Sequence, residues 1–305
     1  SVRVLNTHHN SNAMELNDCR CMLDCLLVKE QSTQYQIPIS PHSERNRGSL
    51  GWRRKICDWY YEFVDYFNFD REVVGVAMNY FDRYISISSQ RSCEDVHTLT
   101  TYQTVAATAL FLAIKLHGTS CEICEEDTNL MRSRALSKIL YGSPTPQDIL
   151  DMEMNMLECL EWYVNPPTLH DFALMFSKLH PISDVCNESG SYLYEATRYQ
   201  VELAIFMPEI LVTFKSSVIV YAALKNAEEK IYAENPLILF EDGKPSSLDA
   251  PETHSSVMVD PTQVAQCQIM LKRVCHQLPD LDYFSDNDSD RNVSNSPTTV
   301  VSFCM

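Results

Sequence analysis

Val105-Ala-Ala-Thr-Ala-Leu-Phe-Leu-Ala-Ile-Lys115 is apolar around nearly its whole circumference when wound as a helix. Such a helix has no water-facing stripe, so other helices must enclose it. Its alanines let those neighbours approach closely. A second run, Ser217-Val-Ile-Val-Tyr-Ala-Ala-Leu-Lys225, has the same character: small alanines in an apolar helix that ends at a lysine. Each run is the third helix expected after its boundary, which reads as a weak internal repeat. The expected fold is all-α: two tandem five-helix bundles, each built around one buried helix, with flexible N- and C-terminal tails.

The flanking sequence supplies the enclosing helices. From Trp52 onward, Ile56, Trp59, Tyr60, Phe63, Val64 and Phe67 recur at helical spacing. A second helix starts at Arg71, with Val73, Val74, Ala77, Met78, Phe81 and Ile85 on one side, and a polar loop is expected over 86–98. A further helix is expected near 129–141. Gly142-Ser-Pro-Thr-Pro146 then breaks the chain, and Pro146 suits the first turn of a helix carrying Ile149, Met152, Met156, Leu157 and Leu160. Asn165-Pro-Pro167 is the clearest internal boundary. Helices are expected after it at 168–179, 190–206, 212–232 and 261–277, with a surface loop over 234–260. Residues 1–47 read as a tail with one apolar stretch, Met22–Val28, suited to a short helix. The bundles then occupy 48–164 and 165–280, and the Ser-, Asn- and Asp-rich stretch 281–305 reads as disordered.

Composition narrows the function classes. The formal charge is −17, which repels phosphate backbones and argues against nucleic acid as a partner. Seven glycines are too few for the glycine-rich turns of dinucleotide- or phosphate-binding folds. No apolar run reaches the roughly 18–20 residues of a membrane span, so no membrane partner is expected. The twelve cysteines are scattered, which fits a reducing compartment rather than a disulfide framework. Cys121 and Cys124 form a lone CxxC. Cys19, Cys21 and Cys25, with His8 and His9 upstream, match no common zinc spacing, so no metal and no cofactor are expected.

Four ordered blocks resemble the cyclin family. Trp52-Arg-Arg-Lys-Ile-Cys-Asp-Trp59-Tyr-Tyr-Glu62-Phe is similar to the family's opening helix. Asn79-Tyr-Phe-Asp82-Arg83-Tyr-Ile-Ser86 resembles its Asp-Arg-Phe-Leu-Ser. Gln103 through Lys115 resembles the central helix and its lysine. Met152-Glu153 through Leu157 and Leu160, followed by Pro166-Pro-Thr168, resembles the family's Met-Glu-x-x-x-Leu and its box boundary. The resemblance covers about residues 50–277 and implies two cyclin boxes.

It also implies a regulatory subunit with no catalytic site. Such a subunit binds a cyclin-dependent serine/threonine protein kinase, repositions its regulatory helix and activation segment, and controls cell-cycle progression. Lys115 and Glu153 match the lysine and glutamate that hold the kinase. Arg53, Asp58, Asp82 and Arg83 match charges that hold the fold. Trp52, Ile56, Trp59 and Gln103 fall where some members carry a substrate-docking patch, but Lys55 stands where an aliphatic residue is usual. Arg20-Cys-Met-Leu23 fits an Arg-x-x-Leu degradation signal through which a ubiquitin ligase would act on the tail. The expected location is nucleus and cytoplasm. The alternatives are a transcription-associated cyclin or a DNA-binding general transcription factor of the same fold.

Overall fold

A computed structural model describes residues 3–37, 46–91, 99–118, 144–180, 187–234 and 260–277. Among them the secondary structure is helical: α1 (Arg3–Gln31), α2 (Asn46–Tyr66), α3 (Glu72–Arg91), α4 (Leu99–His117), α5 (Pro146–Cys159), α6 (Leu169–Leu179), α7 (Asn187–Phe206), α8 (Pro208–Thr213), α9 (Ser216–Glu234) and α10 (Pro261–Gln277), with a short 3-10 turn at Thr33–Tyr35. The chain divides into two compact units between Pro166 and Pro167, where consecutive prolines prevent one helix from running through. The expected helix near 129–141, the loop over 234–260 except its end residues, the 281–305 tail and the Cys121–Cys124 pair lie outside the described residues.

In the unit spanning 33–166, α4 is enclosed as its composition requires. Every residue from Val105 to Ile114 is buried, and α4 packs on both α3 and α5. From α2, the buried Tyr60 hydroxyl donates to the Ala106 carbonyl oxygen at 2.7 Å. Burial, above all, pushes that phenol well above its ordinary range, so it stays a proton donor. The second helix does not stop at residue 85: α3 continues to Arg91, with Ser88 buried and the Ser89 hydroxyl donating to the Ser86 carbonyl oxygen at 2.8 Å, so the serines are absorbed without interrupting the helix.

The other unit joins residues 1–32 to 167–277. Here α9 is the buried helix, packed on α6, α7 and α10, with the short α8 between α7 and α9. Ala222, Ala223 and Leu224 are fully buried. Pro208 does not simply interrupt the chain. It occupies the first turn of α8, where its missing N–H costs nothing. At α6, Thr168 and Asp171 form a capping box: the Thr168 hydroxyl oxygen accepts from the Asp171 N–H at 3.0 Å, and Asp171 Oδ2 accepts from the Thr168 N–H at 2.9 Å.

The amino-terminal segment corrects the sequence reading. It is not a tail with a short helix at Met22–Val28. Residues Arg3–Gln31 form one long helix that packs on α6. Leu16, Cys19, Leu23, Leu26, Leu27 and Glu30 make the inward stripe, with Leu23 only 3% exposed. Glu30 then reaches the start of α9: its Oε1 accepts from the Ser217 N–H and its Oε2 from the Ser217 hydroxyl, both at 2.7 Å. A carboxylate at a helix N-terminus satisfies donors that the helix leaves unpaired. Replacing Glu30 with alanine should cost about 1–3 kcal/mol in urea unfolding and speed proteolysis within α1. Unchanged stability and unchanged cleavage would show that α1 docks without this cap.

Candidate functional site

Two helices converge on one ion pair. α4 delivers Lys115 on its last turn, just beyond the enclosed segment. α5 is fixed at its start by a capping box: the Thr145 hydroxyl oxygen accepts from the Asp148 N–H at 3.2 Å, and Asp148 Oδ2 accepts from the Thr145 N–H at 2.8 Å. These hydrogen bonds to the ionised form hold the Asp148 carboxyl below its ordinary value. With that register set, Ile149, Met156 and Leu157 point inward and Glu153 comes to the edge of α4. Lys115 Nζ lies 2.8 Å from Glu153 Oε1. The lysine side chain is 32% exposed and the glutamate 11%. Lys115 Nζ also sits 5.8 Å from the ring centre of the buried Phe111. Leu116 and Met154, each next in sequence to one member of the pair, are exposed. A partly open ion pair flanked by exposed apolar side chains can hydrogen-bond a partner's backbone while losing little water.

The surrounding charges hold this frame. Arg53 on α2 grips Asp82 on α3 through Nε at 3.0 and 3.1 Å and Nη2 at 2.8 Å. Their side chains are 7% and 12% exposed. Arg83, 2% exposed, donates from Nη1 to the Tyr163 carbonyl at 2.8 Å and from Nη2 to the Leu160 carbonyl at 3.4 Å. It thus places a cation against the carbonyl end of α5. Burial lowers its pKa, yet an arginine there remains charged. Nearby, His117 Nε2 lies 2.9 Å from the Val164 carbonyl oxygen and 3.0 Å from the Tyr80 hydroxyl, which also donates to that carbonyl. The end of α4 is therefore tied to the segment after α5. A sequence reading missed His117, Tyr80 and the Arg71–Asp65 pair at 2.6 Å, because their partners are set only by the turns that follow each helix.

Asp58 behaves differently from the other matched charges. Burial raises its carboxyl above the ordinary value. The folded state then holds the proton more tightly than the unfolded one, so stability from this group falls as pH rises through the carboxylate range.

Residues 22–165 match the family model for the cyclin N-terminal domain. Those residues are a cyclin N-terminal domain. The chain is 26% identical over 223 residues to the G1/S-specific cyclin CLN2 of Candida albicans, covering 71% of this chain and 44% of that protein. It is 27% identical over 159 residues to Cyclin-B2-1 of Arabidopsis thaliana, covering 52% of this chain and 33% of that one. With the G1/S-specific cyclin-D2 of Gallus gallus it shares 29% identity over 120 residues, 39% of this chain and 36% of the relative. The chain thus spans less than half the length of each of these curated relatives. The X-ray structure of a viral cyclin from herpesvirus saimiri superposes with a TM-score of 0.53 at 17% identity, covering 86% of this chain and 96% of that chain. That likeness shows that the fold is the cyclin fold.

Against this cyclin fold, the remaining sequence-derived sites separate. The expected docking patch does not form an open apolar floor. Ile56 is fully buried and Trp59 is 6% exposed, because both belong to the inward stripe of α2. Trp52 and Gln103 keep partial exposure, and Lys55 Nζ stands 5.1 Å from the Trp52 ring centre as a cation–π contact. The degradation signal is likewise corrected: Arg20 is exposed but Leu23 is buried in α1, so a folded chain does not offer the two together. Among the described residues, no group of three or more His, Cys, Asp or Glu is arranged to hold a metal ion. None of the described helices is long and apolar enough to cross a membrane.

Two outcomes test this frame. Replacing Arg53 with alanine strands the buried Asp82 carboxylate, so urea unfolding should show a loss of about 3–5 kcal/mol; a loss within 0.5 kcal/mol, the range of an ordinary surface change, would mean the pair holds nothing. An Arg-x-Leu peptide should bind the wild-type surface weakly, and better after Lys55→Ile, in a fluorescence titration. Tight wild-type binding that Lys55→Ile abolishes would contradict the buried floor.

Proposed function

We propose that this chain is a non-catalytic regulatory subunit that binds and activates a cyclin-dependent serine/threonine protein kinase during cell-cycle progression. The observation that carries the reading is the Lys115–Glu153 pair, held at 2.8 Å across α4 and α5 and bordered by exposed Leu116 and Met154. A rigid surface of this kind can favour one conformation of a partner through differential binding. In a kinase, the conformation that matters brings a helix-borne glutamate to the catalytic lysine, which in turn orients ATP. The subunit contributes no reacting group. Lys115 offers donors to carbonyl oxygens and Glu153 accepts from N–H groups, so together they fix the partner helix in one register. The proposed location is nucleus and cytoplasm, where such kinases act. The charge of −17 weighs against the reading as a DNA-gripping factor, which needs a basic face.

The test is co-purification followed by affinity measurement with the captured kinase. Lys115→Ala and Glu153→Ala should each weaken binding by about 2–4 kcal/mol and lower kinase activity at limiting subunit. The double variant should keep wild-type helicity and unfolding midpoint. Unchanged affinity in a folded double variant would place the kinase elsewhere. Retention on DNA at moderate salt without any kinase would favour the transcription-factor reading instead.

A further inference from the structure

The long helix α1 sorts its sulfur-bearing residues onto two sides. Cys19 turns toward the inward stripe with Leu16, Leu23 and Glu30. Cys21, Met22 and Cys25 all face outward: both cysteines are exposed free thiols and Met22 is 55% exposed. At about 100° per residue these three fall within roughly 100° of arc. Cys21 and Cys25 are one turn apart, as are Met22 and Cys25, which puts such side chains about 5–6 Å apart at Cβ. Side chains of that length and freedom can bring their sulfurs around one ion at ordinary metal–sulfur distance.

We propose that Cys21, Met22 and Cys25 form a surface site for a soft monovalent metal ion of the copper(I) class. Two thiolates and a thioether are a ligand set that selects copper(I) by softness. Zinc, by contrast, takes four ligands, and Cys19 turns toward the inward stripe instead of this one. Asp18, also exposed, lies one turn before Cys21 and Met22 on the same stripe and adds negative charge toward a cation; Arg20 and Lys29 flank it with the opposite sign. Zinc-module spacing does not mark this site, because such modules draw on four cysteine or histidine ligands, whereas the helix presents two of the three cysteines together with a methionine.

The experiment titrates the full chain with copper(I), under anaerobic reducing conditions, against a chromophoric copper(I) chelator. The wild-type chain should retain one equivalent. Cys21→Ser and Cys25→Ser should each lose that equivalent, Met22→Leu should weaken it, and Cys19→Ser should leave it intact. Circular dichroism checks that α1 persists in each variant, as exposed positions predict. Copper retention unaffected by Cys21→Ser and Cys25→Ser, equal loss in Cys19→Ser, or tighter retention of zinc(II) than of copper(I) would each overturn the assignment.

Discussion

Enclosure of α4 is the constraint on which the first unit depends. A helix with every residue from Val105 to Ile114 buried cannot exist until α3 and α5 cover it and Tyr60 of α2 reaches the Ala106 carbonyl. Alanine at positions 106, 107, 109 and 113 is what allows that approach, since larger side chains would force the neighbours outward. The same constraint fixes where the enclosed segment must end. Lys115 is the first exposed residue after it, so the helix that organises the core also positions the charged residue at its rim.

A site at the end of a helix would ordinarily fray, because terminal turns lack hydrogen-bond partners. Here both converging ends are restrained. Arg83 binds the carbonyls of Leu160 and Tyr163, while His117 and Tyr80 meet at the Val164 carbonyl. The turn they restrain is unusual for its residues: Glu161 and Trp162 both adopt left-handed backbone angles, with φ of 52° and 62°. Non-glycine residues accept that conformation at a cost of about 1–2 kcal/mol each. The buried arginine and the paired carbonyls offset it, and the turn then places the chain at the proline boundary.

Much of the architecture was legible because its signals are local. The apolar circumference of α4, the prolines at 146, 166 and 167, and the helical spacing from Ile56 to Phe67 each determine an element without reference to a distant residue. The association of Lys115 with Glu153, seen as a 2.8 Å contact, was legible for a different reason: the two residues lie in separate blocks that resemble one family. What failed were judgements about facing. α1 looked like a tail because its inward stripe mixes leucines with Cys19 and Glu30, while its outer face carries Met22 and Val28. The apolar contrast that marks an amphipathic helix is thereby diluted. Ile56 and Trp59 fall where the family resemblance implies a docking patch, but their spacing with Tyr60 and Phe63 turns them inward, and both are buried.

The division between residues that hold the fold and residues open to a partner follows from burial and valence. Arg53 and Asp82 use three hydrogen bonds between nearly buried side chains, so their interaction is spent within the unit. Glu30 is spent in the same way on the start of α9. Lys115 and Glu153 meet at a single 2.8 Å contact with the lysine one-third exposed, and an ion pair that wet contributes under about 1 kcal/mol to stability. The fold therefore gains little from keeping both residues, yet two helices, a capping box and a restrained turn are arranged to keep them in place. Support in excess of structural benefit is what the proposed partner-binding role of this pair would require.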